Sequence, residues 1–156
     1  MTVPITALPE RAEDMICFAV YAASHAMTRA YQPMLKALGL TYPQYLVLTV
    51  LWNEDTQTVG ALGKCLGMES NTLTPLLKRL EATGHIRRQR GKDDERQVFV
   101  SLAPKGDALR TEAPDITRCI IEGTGMELRD LERLVETLTQ LRRNMAPKTA
   151  KQDRKT

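Results

Sequence analysis

Three cysteines and two histidines hold most of the reactive chemistry open to this chain: Cys17, Cys65, Cys119, His25 and His85. A thiolate can attack a peroxide, pair with a second thiol or bind a metal. The spacing argues against the metal, because no two of these five stand at close ligand spacing and there is no C-x-x-C. A structural zinc site is rejected, and no cofactor is expected. No Gly-rich phosphate loop, acid–base pair or peroxidase motif accompanies Cys17, which speaks against an enzyme. By residue type alone, a lone cysteine on an apolar helix is a packing residue. What sets Cys17 apart is its company. Phe18, Tyr21, Tyr31, Tyr42, Tyr45 and Trp52 share its stretch of chain, leaving only Phe99 elsewhere. An apolar, aromatic-lined pocket would admit a bulky organic molecule, and phenol hydroxyls could hold a thiolate by hydrogen bonds.

The second chemistry is cationic. Between Lys78 and Arg96 seven Lys or Arg stand against four Asp or Glu, so this segment is locally basic. The periodicity around it supplies the elements that would position it. A long helix spans about 9–38, with Pro33 predicting a kink or break near Tyr31–Gln32. A buried helix follows over 43–52, then two short ones. The first starts at Thr58 and stops at Gly67; the second runs from Ser70 to Thr83, capped by Ser70 or Asn71 and stopped by Gly84. Residues 86–89 and 97–102 read as short strands, with Val98, Val100 and Leu102 facing one way and a glycine-plus-charge tip between them. Helices resume over 105–123 and 126–143.

Two short helices joined by a glycine-containing turn form a helix-turn-helix, whose second helix can enter a DNA major groove. Leu62, Leu66, Leu73, Leu76, Leu77 and Leu80 would fill its core. Outward on the second helix stand Ser70, Asn71, Thr72, Thr74, Lys78 and Arg79, small hydrogen-bonding or cationic groups able to reach phosphates and base edges. The basic hairpin beside it, carrying Arg88, Arg90, Asp94 and Arg96, would be a wing. Asp94 is placed to brace Arg96 through a charge-assisted bond. A solvated hairpin of balanced charge is the competing reading for the charge cluster alone; helix pair and hairpin together favour DNA.

Composition sets the bounds. A chain of 156 residues with 42% hydrophobic and 26% charged residues can bury one core, which excludes wholesale disorder. No apolar run approaches the ~20 residues of a membrane span, and the amino terminus lacks the order of a secretory signal. A cytoplasmic protein with free thiols is expected. From Arg142 onward the chain carries six cations and one Asp, a basic tail expected to be solvated and without structure over 146–156.

The segment SNTLTPLLKRLEATGHIRRQRGKDDERQVFVSL resembles the recognition helix and wing of the MarR family of winged-helix regulators. The family's wing signature, an Asp-x-Arg followed by alternating apolar residues, stands here as Asp94-Glu95-Arg96 and Val98, Val100, Leu102. The front segment, CFAVYAASHAMTRAYQPMLKALGLTYPQYLVLTVLW, is similar to the OhrR branch, the organic-hydroperoxide-sensing repressors. The resemblance covers about residues 15–141. It implies a mainly α fold: a winged helix-turn-helix with a two-stranded wing over about 43–103, and a dimerisation domain from helices at about 9–40 and 104–145. It further implies a repressor that binds pseudo-palindromic double-stranded operator DNA as a homodimer and leaves it on oxidation by organic hydroperoxide. The sensor position matches Cys17, the tyrosines that hydrogen-bond it match Tyr31 and Tyr42, and Phe18 and Tyr21 join the pocket. Cys119 falls where two-cysteine members carry a resolving cysteine that bonds across subunits; Cys65 has no counterpart and reads as packing.

Elementary geometry constrains that carry-over. Cys17, Tyr21, Ser24 and Tyr31 share one stripe of an ideal helix, yet Cys17 and Tyr31 lie about 21 Å apart along it. If both serve one sulfur, Tyr31 comes from the other subunit. Glu13 and Asp14, one turn before Cys17, would oppose its ionisation if they faced it, so the helix dipole and the phenols must outweigh them. The last helix carries Leu128, Leu131, Leu134, Val135, Leu138 and Leu141 on one stripe, a face suited to a dimer. Two other readings remain: a thiol peroxidase, and a MarR-type repressor released by a phenolic ligand, with Cys17 only lining the pocket.

Overall fold

The computed structural model describes residues 11–146. The helix start expected at Pro9 and the tail beyond Ala146 lie outside them. The chain divides into two compact units, one up to Ile120 and one from Ile121.

In the first unit, a short turn at Ala12–Asp14 leads into α1, Ile16–Ala37. The helix runs unbroken through Pro33, so the expected break does not occur. Proline removes one intrahelical N–H, and the carbonyl that loses it, four residues back on the exposed Arg29, is open to water. Buried Leu35, with Tyr31, Met34 and Leu38 packed on the core, holds the helix on both sides of the proline. Next, α2 (Tyr42–Asn53) opens on a capping box: Gln44 takes the Thr41 N–H at 2.9 Å, and Thr41 caps in return. It buries Tyr45, Val47, Leu48, Leu51 and Trp52, as its nearly all-round apolar pattern requires.

The helix-turn-helix consists of α3 (Val59–Leu66) and α4 (Ser70–Ala82). Thr58 caps α3 by accepting the Ala61 N–H at 3.1 Å, and Gly67 ends it at φ +66°, where a side chain would be strained. Leu62, Leu73, Leu77 and Leu80 are fully buried, with Leu66 and Leu76 packed against them. Two expectations need correction here. Neither Ser70 nor Asn71 caps α4; Glu69 occupies the cap with no side-chain bond, leaving both polar side chains uncommitted to it. Cys65 is exposed rather than packed, because the Leu62–Leu66 stripe turns it away from the core.

The wing strands are β2 (Ile86–Arg90) and β3 (Val98–Leu102), paired antiparallel from Ile86 opposite Leu102 to Arg90 opposite Val98. The sheet has three strands, not two. Gln57–Thr58, β1, pairs with Val100 and Phe99 and gives the order β1-β3-β2. A two-residue strand has no period to read. Asp55 fixes it in place: its Oδ1 accepts both the Thr56 and the Leu102 N–H at 2.8 Å, and Thr56 sits at φ +61° to make the turn.

The helix expected over 105–123 is interrupted: α5 (Pro104–Ala108) passes through a tight turn at Leu109–Glu112 into α6, Ala113–Thr124. Just before the interruption the chain passes close to the end of α4. A Cβ on Gly106 would lie 2.1 Å from the His85 carbonyl oxygen, and Trp52 Nε1 donates to the Gly106 carbonyl at 2.9 Å. The second unit comprises the end of α6 and α7, Leu128–Met145. On α7, Leu128, Leu134, Val135, Leu138 and Met145 are exposed. No helix among the described residues is long and apolar enough to cross a membrane.

Candidate functional site

The sequence-expected residues fall into two places, a polar cleft and an aromatic cluster. Ser70, Asn71 and Thr72 occupy the first turn of α4 and are exposed, as are Lys78 and Arg79 further along; Thr74 is half-buried. Between α4 and the wing lies a cleft of about 510 Å³, which brings Ser70 and Thr74 together with Arg88 and Arg96. Thr58 and Gly60 also line it; sequence reasoning missed them, because its signal was the outward face of one helix and not the groove beside it.

At the wing tip the chain turns back through Gly91 N–H to the Gln97 carbonyl, 2.8 Å, and Gln97 N–H to the Asp94 carbonyl, 3.0 Å. The Asp94 carboxylate accepts the Arg96 backbone N–H at 3.0 Å. This corrects the expected brace: Asp94 shapes the turn, and the Arg96 guanidinium makes no ion pair among the described residues. Arg90 is exposed beside it. Arg88 is different, for Glu81 at the end of α4 accepts its Nε at 2.8 Å and its backbone N–H at 3.0 Å. Those bonds hold the Glu81 carboxyl below the usual carboxylate range.

In the aromatic cluster Tyr31 of α1 meets Tyr42 of α2 with ring centres 4.8 Å apart, Tyr45 lies 5.9 Å from Tyr31, and Trp52 stands edge-on to Tyr45 at 5.7 Å. Burial, reinforced by the neighbouring phenols, raises the Tyr31 pKa; burial alone raises that of Tyr42. Both therefore keep their protons and remain hydrogen-bond donors at neutral pH. Cys17 stands in the first turn of α1, exposed, with exposed Phe18 and Tyr21 beside it. Because α1 is continuous, Cys17 and Tyr31 lie on one rod about 21 Å apart. Within a single chain Cys17 is out of reach of Tyr31. Cys119 is exposed on α6, and all three cysteines are free thiols. Among the described residues no group of His, Cys, Asp or Glu could hold a metal.

A helix-turn-helix beside a cationic wing, with an exposed thiol on the leading helix, can be compared with known proteins. Residues 29–112, more than half of the chain, match the family model for the transcriptional regulators SarA/Rot. The regulator TtmR of Methylorubrum extorquens is 47% identical over 86% of this chain and 69% of its own length. The organic hydroperoxide resistance regulator of Bacillus subtilis is 43% identical over 82% of this chain and 89% of its own. The chain belongs to the SarA/MarR-type winged-helix regulators, in their OhrR branch. Among solved structures, AbfR of Staphylococcus epidermidis, reduced and bound to DNA, superposes with a TM-score of 0.69 at 35% identity, covering 83% of this chain and 90% of that one. AbfR has also been solved with a disulfide formed.

These relatives are transcriptional regulators, so the chain is a DNA-binding regulator and not an enzyme. The resemblance read from residues 17–52 and 70–102 is thereby confirmed at the level of family and branch. The frame suits the cleft: a cationic groove edged by small polar side chains matches what a winged helix offers a duplex.

Proposed function

We propose that this regulator is a repressor, acting in the cytoplasm, that holds a pseudo-palindromic operator as a reduced homodimer and releases it when an organic hydroperoxide oxidises Cys17. The observation that carries this reading is the state of α1. From Ile16 to Ala30 every residue but Ala22 is exposed, although Phe18, Val20, Tyr21 and Met27 are among them. An apolar helix half left bare calls for a covering surface. A second copy would supply it, as another would for the exposed apolar face of α7, and would bring its own Tyr31–Tyr42 pair to Cys17 as hydrogen-bond donors. Two recognition helices would then stand about 34 Å apart, one turn of DNA.

The Cys17 thiolate attacks the distal peroxide oxygen; the O–O bond breaks, the alkoxide leaves and takes a proton from water to become the alcohol, and a sulfenic acid remains. A Cys119 thiol from the other subunit then displaces hydroxide as water, forming an intersubunit disulfide. The similarity to an organic hydroperoxide resistance regulator and to AbfR, solved with a disulfide formed, supports a peroxide signal and a disulfide product. A gel-shift titration with cumene hydroperoxide tests it: wild type should release its DNA, and Cys17→Ser should stay bound. On a non-reducing gel the peroxide should also give a covalent dimer that dithiothreitol reverses and Cys119→Ser lacks.

One observation favours the rival reading of release by a phenolic ligand. A cleft of about 460 Å³ between α1 and α2 is lined by His25, Arg29, Lys36 and Tyr42, which suits a small aromatic anion. Release by salicylate but not by hydroperoxide, unchanged in Cys17→Ser, would transfer the function to that cleft.

A further inference from the structure

The Glu81–Arg88 pair joins the recognition helix to the wing, and it is the only ion pair among the described residues that spans two elements of the DNA-facing surface. One carboxylate holds both parts of Arg88. Oε1 takes the backbone N–H at 3.0 Å, while Oε2 takes Nε at 2.8 Å and the terminal nitrogen at 2.7 Å. Because β2 is an edge strand, alternate N–H groups on it lack a sheet partner, and Glu81 satisfies one of them. The side chains are 24% and 35% exposed, too sheltered for a freely swinging surface pair. Ile86, buried at the base of β2, pins one point of the wing to the core, and the register sets Arg88 opposite buried Val100. Glu81 gives the wing a second fixed point, four residues of chain beyond the Gly84 turn and on α4 itself.

We propose that Glu81 is a positioning residue for sequence-specific binding, acting through Arg88, and that Arg88 is a strap rather than a phosphate contact. The inference rests on the reading of α4 and the wing as the DNA-binding surface. A bare carboxylate beside the cleft would repel DNA, whereas this one is neutralised by Arg88, so the pair adds no net charge to the groove. Arg88 then contributes little to counterion release and much to geometry. Its forked guanidinium matters as well, since a lysine cannot supply Nε and a terminal nitrogen to one carboxylate oxygen.

The test uses a duplex selected by the wild-type protein from a randomised pool, beside an unselected duplex of equal length. Glu81→Gln and Arg88→Gln should each weaken the selected duplex by about tenfold. Binding of the unselected duplex and the salt slope should hardly change in the double variant, which removes both charges, and that variant should bind the selected duplex no worse than the weaker single one. Arg88→Lys, which keeps the charge and is expected to fold, should behave like Arg88→Gln. The strap is overturned if Arg88→Lys binds like wild type. It is equally overturned if Arg88→Gln weakens both duplexes alike and flattens the salt slope while Glu81→Gln leaves binding unchanged, the pattern of a phosphate contact. A wild-type protein that selects no duplex from the pool would remove the DNA reading itself and the strap with it, a failure plainly different from the other two.

Discussion

Tyr31 and Tyr42 are the residues on which the proposed sensor turns, and they test it without disturbing the fold. Their rings carry the packing at 4.8 Å, while their hydroxyls, protonated because burial raises both pKa values, are free to donate. Tyr31→Phe and Tyr42→Phe should each leave reduced-state DNA binding nearly intact. Each should slow oxidation of Cys17, since a sulfur anion loses a donor worth about 1.5–3 kcal/mol. Stopped-flow thiol consumption measures this, and unchanged rates in both variants would dismiss the phenols. Arg96 offers the second residue test. With its guanidinium in no ion pair among the described residues and its backbone fixed by Asp94, it is placed to enter a minor groove. Arg96→Ala should weaken operator binding by about 1–3 kcal/mol and reduce the salt slope by about one, both read from titrations at several salt concentrations. At this scale the residue types of the site were legible and their partners were not. Nothing in the spacing of Glu81 and Arg88 says that they meet across a turn, and nothing in Asp-x-Arg says that the aspartate serves a backbone N–H.

Among the elements, what could be read was what repeats. The helices α2, α3, α4 and α7 show an apolar period or clear caps, and each was expected within a few residues of its place. The misses share a cause: tertiary contacts decided them. Packing of Leu35 and its neighbours carries α1 through Pro33, Asp55 makes a strand of two residues, and near the early end of α5 Trp52 takes the Gly106 carbonyl that a continuous helix would use. His85 makes that last junction testable. It is 2% exposed, shares a proton with Thr83 Oγ1 through Nδ1 at 2.8 Å, and has no partner for Nε2 among the described residues. Burial first, then the Lys105 charge, pushes its pKa below the ordinary histidine value. The unfolded chain therefore takes the proton first as pH falls, so the stability that neutral His85 contributes is complete above about pH 6.5 and is lost below it. The loss should approach about 1.4 kcal/mol per pH unit until the folded histidine itself titrates. Thermal unfolding of wild type and His85→Asn between pH 8 and 5 measures it. The variant should show the shallower acid loss, whatever its stability at pH 8; parallel curves would assign the acid sensitivity elsewhere.

At the scale of the whole molecule, the chain reads as half of an object. The bare half of α1 and the exposed face of α7 are apolar surfaces that one copy leaves uncovered, and Cys17 stands a helix length away from the phenols proposed to hold it. A monomer by sedimentation at micromolar concentration would refute the shared site at once. A dimer leaves open which chain supplies the phenol, and mixed dimers decide that. Pairing a Cys17→Ser chain that keeps Tyr31 with a Tyr31→Phe chain that keeps Cys17 leaves one sensor sulfur, opposite an intact tyrosine on its partner. If α1 is the unbroken rod described here, Tyr31 cannot bend back about 21 Å to its own cysteine, and this heterodimer should consume hydroperoxide at the normal rate per sensor. The reciprocal pairing, a Cys17→Ser, Tyr31→Phe double variant with wild type, leaves the only sulfur facing a phenylalanine and should be as slow as the Tyr31→Phe homodimer. The reverse pattern, slow in the first pairing and normal in the second, would mean that Tyr31 serves the sulfur of its own chain. It would also require α1 to open between Cys17 and Tyr31, in a conformation other than this one.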